Sequence, residues 1–86
     1  SPTINSVINE RMKQTIQWGE QNHDPFFWFS ILSEEIGEVA QDINDAKLKD
    51  DPSFLVKAQT ELIQVAAVAV AFAESLSRNE LKDIDE

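Results

Sequence analysis

Cysteine is absent from these 86 residues, which excludes disulfides and thiolate metal sites and leaves the redox compartment open. Glycine occurs only twice, no glycine-rich loop is present, and no segment alternates polar and apolar residues as a half-buried strand does. Bases are scarce: seven Lys and Arg against sixteen Asp and Glu give a net charge of -9. That balance argues against a nucleic-acid backbone or an anionic membrane as the main partner and suits divalent cations. No basic segment leads into an apolar one at the N-terminus, so the expected compartment is the cytoplasm. A chain of this length makes one domain, residues 1–86, whose core is small enough to invite association with further copies as a dimer or tetramer.

What is present reads as helix. Ile4, Val7, Ile8, Met12, Thr15 and Ile16 recur at helical spacing, and Gly19 is the expected stop. Asp24-Pro25 marks a second start, because Asp accepts from free first-turn amides and Pro needs no donor there. On that helix Phe29, Leu32, Ile36, Val39, Ala40 and Ile43 form the expected buried stripe. Asp51-Pro52 repeats the start signal. The third helix has Gln64 as its sole polar residue between Leu62 and Ala73, so it should be buried on more than one side, one of them supplied by another subunit. That twelve-residue run is shorter than the roughly 20 residues a bilayer requires. The fold expected is all-α: three main helices, about 3–18, 25–44 and 52–77, in a bundle completed by oligomerisation, with 78–86 a charged tail that frays or forms a short turn.

One stretch has no neutralising partner. Ser33-Glu34-Glu35-Ile36-Gly37-Glu38-Val39 sets three carboxylates within about a turn and a half, and no Lys or Arg occurs between Phe26 and Ala46. Glu35 falls near the apolar boundary, where shielding raises its pKa unless a cation holds it ionised. The third helix offers Glu61 and Gln64 at the same three-residue spacing as Glu35 and Glu38. Antiparallel helices joined by a short link bring these pairs opposite one another, an oxygen-rich site for Mg2+ or Mn2+. Gly37 costs about 1 kcal/mol against alanine inside a helix, so a close approach is expected there.

Glu34-Glu35-Ile36-Gly37-Glu38, followed by Glu61-Leu62-Ile63-Gln64, resembles the paired motif of the MazG-like nucleoside triphosphate pyrophosphatases, E-E-x-x-E and then E-x-x-D. Trp18-Gly19, His23 with Pro25 and Trp28, Ile31-Leu32-Ser33 and Val65-Ala66-Ala67-Val68-Ala69 extend the likeness over Trp18 to Leu76. The resemblance implies a Mg2+-dependent hydrolase that splits a nucleoside or deoxynucleoside triphosphate between the α- and β-phosphates. By motif position Glu35, Glu38 and Glu61 are then metal ligands, and Glu34 holds or deprotonates the attacking water. Gln64 stands where the family has Asp: its amide oxygen can ligate a cation but brings no charge.

Lys47, Lys49 and Lys57 are candidates to neutralise phosphates, against a role as solubilising residues. Phe29 is the expected core aromatic, while Phe27 or Trp28 stacks on a base or fills an interface. His23 either caps the turn or reads the base. Against the enzyme stand two rivals: a helical interaction module whose acidic face docks a basic partner, and a degenerate relative that binds metal or nucleotide without hydrolysis.

Overall fold

A computed structural model describes residues 1–84. It is all-α: α1 spans Pro2–Trp18, α2 Pro25–Leu48 and α3 Ser53–Asn79, with no strand among the described residues. The caps act largely where the sequence places them. Gly19 ends α1 with φ of 71° and donates its N–H to Thr15 O at 2.8 Å. Asp24 Oδ1 accepts from the Phe26 and Phe27 amides at 2.9 and 3.1 Å, opening α2 at Pro25. Asp51 Oδ1 accepts from Ser53 N at 3.0 Å, so α3 begins one residue later than expected. The charged link is shorter than its composition suggests. α2 runs to Leu48 rather than Asn44, and Asp50 takes the left-handed conformation, φ 50°, in the reversal. α3 continues through Asn79, and Leu81–Ile84 closes as a turn, Ile84 N donating to Leu81 O at 2.9 Å. The last two residues of the expected tail lie outside the described residues.

α3 is the central element. α2 packs along it antiparallel, α1 packs on its other flank, and α1 and α2 do not pack against each other. α1 and α2 thus flank α3 with a groove between them. Trp28, Val39, Ala58, Ala67, Val68 and Ala71 form the buried apolar set, whereas α1 contributes no buried residue. Polar clasps hold the ends. Arg11 pairs with Glu74 at 2.9 Å, and Arg78 Nη2 donates to Gln21 O and Asn22 Oδ1 at 3.1 and 2.9 Å.

The stripe expected to be buried on α2 is displaced by about one residue. Trp28 is 3% exposed and stacks on Phe72, ring centroids 5.8 Å apart, while Phe29 is 62%, Ile36 50% and Ile43 48% exposed. The line facing α3 is Trp28, Leu32, Glu35, Val39, Asp42 and Ala46, so two carboxylates interrupt it. A stripe drawn from apolar residues alone therefore tilts toward the neighbouring line.

The expected close approach at Gly37 is not found: an added methyl group meets no atom within 4 Å. Gly37→Ala is accordingly expected to stabilise the protein by about 0.5–1 kcal/mol, read from chemical denaturation, because only backbone entropy is at stake.

By length and composition α3 is able to cross a membrane. It has 27 residues and an 18-residue window of mean hydropathy 1.4, of which 22% is buried in the chain. The Leu62–Ala73 run judged too short is the middle of this longer helix. A core helix of a soluble protein passes the same test.

Candidate metal centre

The antiparallel pairing of α2 and α3 decides which acids meet. Trp28 lies level with Phe72, and from that register Glu38 comes level with Glu61 and Glu35 with Gln64. Glu35, Glu38 and Glu61 each present a carboxylate oxygen within 4.8 Å of the others. Glu35 and Glu38 are three residues apart on one helical side, and Glu61 reaches them across the helix pair. Glu38 is exposed; Glu35 and Glu61 are half-buried.

None of the three is ion-paired among the described residues, whose salt bridges join Arg11 to Glu74, Lys49 to Asp45 and Arg78 to Glu20. Glu35 Oε2 and Glu61 Oε2 are buried without a hydrogen-bond partner. Burial pushes the Glu35 carboxyl above its ordinary 4.5, and the charges of Glu38, Glu34 and Glu10 push the same way. Glu61 is raised likewise, first by burial, then by its pairing with Glu38 and by the charges of Glu35 and Asp42. Three carboxylates this close, two with orphaned buried oxygens, offer the kind of oxygen donors that a divalent cation takes.

Gln64 lines a cavity of about 280 Å³ together with Glu10, Gln14, Trp18, Trp28 and Glu35. This groove lies between α1 and α2, with α3 as its floor. The structure thus places Gln64 beside Glu35, as its three-residue offset from Glu61 requires. Glu10 and Asp42 complete the acidic surroundings. The signal that finds Glu10 is tertiary only, since α1 gives no local hint that its tenth residue turns toward α2.

The remaining candidates are divided by position. Glu34 is exposed and, being four residues before Glu38, lies on the same side of α2. His23 sits in the α1–α2 turn, its ring edge-on to Phe27 at 4.7 Å and to Trp28 at 4.9 Å. Trp28 spends its face on Phe72, which corrects its reading as a free platform for a base; its Nε1 remains buried and unpartnered. Phe29, expected in the core, is on the surface of the chain.

Lys47 is not brought to the site. It follows Glu38 by nine residues, which is two and a half turns, so it leaves α2 on the opposite side about 13 Å along the axis. Lys57 lies four residues before Glu61 on α3, its Nζ 5.4 Å from the Phe54 ring centroid.

No family model matches the chain, and neither a curated protein nor a solved structure is significantly similar to it.

Proposed function

We propose that this chain is a Mg2+-dependent nucleoside or deoxynucleoside triphosphate pyrophosphohydrolase, MazG-like in its motif, that releases a nucleoside monophosphate and pyrophosphate. The observation that carries the reading is the convergence of Glu35, Glu38 and Glu61, with two orphaned buried oxygens and no ion pair to any of the three among the described residues. Those three side chains, with the Gln64 amide oxygen beside Glu35, would hold the metal. Bound Mg2+, or Mn2+ in its place, would shield the triphosphate charge and acidify a water. Glu34, exposed on the same side of α2 as Glu38, would take a proton from the attacking water. Of Lys47, Lys49 and Lys57, the candidates for the phosphates, Lys57 would take that role, being one turn from Glu61 on α3. The protein then acts in the nucleotide pool of the cytoplasm as a homo-oligomer, with neither nucleic acid nor membrane as a partner.

Pyrophosphate release from a panel of ribo- and deoxyribonucleoside triphosphates, with Mg2+ or Mn2+ and the intact oligomer, tests the reading. Turnover of at least one member is expected, lost in Glu38→Ala while helicity is retained. Absence of turnover across the panel refutes it.

Gln64 favours a second reading, in which metal or nucleotide binds without hydrolysis. Gln64→Asp distinguishes the two. In an active enzyme the added charge is expected to tighten Mg2+ binding about 10-fold while product release continues, whereas in an inactive relative it creates activity from none.

A further inference from the structure

Both arginines of the chain, Arg11 and Arg78, come to one place although they stand at opposite ends of the sequence. Where the end of α1, the turn into α2 and the last turns of α3 meet, they border a cavity of about 480 Å³ that Trp28 of α2 also lines. Trp28 and Gln21 border the acidic groove as well, but none of the three metal-centre glutamates lines this cavity.

The protein uses its basic groups here only in part. Arg11 Nη1 donates to Gln14 Oε1 at 3.2 Å and Nη2 to Glu74 Oε1 at 2.9 Å, while Nε has no acceptor among the described residues. Arg78 commits Nε and Nη2 to Asn22 Oδ1, and Nη2 also to Gln21 O, which leaves Nη1 without an acceptor among them. Trp28 is 3% exposed, and its Nε1–H is buried with no acceptor. A buried donor left unmet is costly, and a ligand oxygen relieves it. The unmet groups are thus all donors, one residue from each helix.

The acids at this cavity lie outside the bases. The Glu74 and Glu20 side chains are 53% and 62% exposed, against 24% and 35% for the Arg11 and Arg78 side chains that they pair with. Ion pairs this open contribute little, so an anion that reaches the guanidinium groups displaces the carboxylates into water at small cost.

We propose that this cavity binds the phosphate group of a small phosphomonoester, held by Arg11, Arg78 and Trp28. Three free oxygens on a tetrahedral centre match donors that arrive from α1, α2 and α3, whereas a carboxylate has two oxygens in one plane and a single guanidinium satisfies it. Thr15 and Ser77 add hydroxyls to the lining, and Ala71 supplies apolar wall for the body of the ester. The site needs no metal. Binding here and turnover at the acidic groove therefore succeed or fail independently.

Titration calorimetry in chelator, with ribose 5-phosphate, inorganic phosphate and acetate as probes, tests the assignment. Ribose 5-phosphate is expected to bind once per chain with a dissociation constant below about 1 mM, inorganic phosphate about 3–10-fold more weakly, and acetate not measurably. Arg11→Gln and Arg78→Gln are each expected to weaken ribose 5-phosphate about 10-fold or more, as loss of a charge-assisted pair does. Glu74→Gln releases Arg11 and is expected to tighten binding about 3-fold, a gain that a folding defect cannot imitate. Glu38→Ala, in the metal centre, is expected to leave the affinity unchanged. Circular dichroism checks that each variant stays helical. Absence of saturable phosphate binding overturns the proposal. So does binding that both arginine variants leave intact, binding that Glu38→Ala abolishes, or acetate that binds as well as phosphate.

Discussion

Glu61→Gln is expected to lower kcat/KM for pyrophosphate release by about 10²–10³-fold and, in the absence of metal, to make the protein more stable than wild type. Both effects come from the same atoms. Glu61 is the α3 member of the three-carboxylate centre, and its Oε2 is buried without a partner while Glu38, Glu35 and Asp42 repel its charge. Glutamine removes the repulsion and supplies an amide donor to neighbouring carboxylates, a gain of about 0.5–1 kcal/mol at roughly 0.2–0.5 kcal/mol per relieved pair. Saturating Mg2+ reverses the order, stabilising the wild type by about 2.7 kcal/mol at a hundred times its dissociation constant and the variant far less. Thermal melts of both proteins with and without Mg2+, beside the turnover assay, check the prediction. An interaction module with a merely solvated acidic face gives a different pattern, the variant remaining the more stable with metal present.

The second large effect is a stability profile that inverts with metal. Glu35 and Glu61 titrate above 4.5 in the folded protein. Between their ordinary value and the raised ones the folded state binds more protons than the unfolded state, so their contribution is full below that interval and is lost as pH rises through it. Metal-free protein is therefore expected to melt at a higher temperature near about pH 5 than near pH 7. Asp51, held below its ordinary 3.8 by its hydrogen bonds to Ser53, acts oppositely, but its contribution is lost only in stronger acid. Mg2+ requires the ionised carboxylates, so its stabilisation grows with pH. At mildly alkaline pH it is expected to raise the melting temperature by about 10–20 °C for a domain of this size. Melting curves from weakly acidic to mildly alkaline pH, in chelator and in saturating Mg2+, measure it. Parallel profiles in the two conditions would remove the metal centre from consideration.

Much of this was legible in advance because it is local. Asp24-Pro25 opens a helix wherever it stands before a helix-compatible run, and Gly19 ends one because its backbone tolerates positive φ. The pairing of Glu35 and Glu38 with Glu61 and Gln64 was legible for a related reason: a short link forces antiparallel neighbours, and three-residue spacing fixes the side of each helix. Where the reading went astray, the acids themselves were the cause. Glu35 and Asp42 stand in the line of α2 that faces α3, and a stripe traced through apolar residues slid to Phe29, Ile36 and Ile43. Trp28, a candidate for base stacking or for an interface, lies instead against Phe72, and Lys47, a candidate for the phosphates, is carried by two and a half turns to the far side of α2 from Glu38.

By itself the sequence determined the helices, their order, their caps and the acids able to meet, since each depends on residues within a turn or a short link. Tertiary structure alone decided that Glu10 joins the groove, that Gly37 faces open space and that α1 packs on α3 without reaching α2. It also decided that the apolar stripe of α2 remains exposed. Those outcomes depend on the rotation of each helix about its axis, which is set by the packing of Trp28 on Phe72 and of Val39, Val68 and Ala71 in the small core.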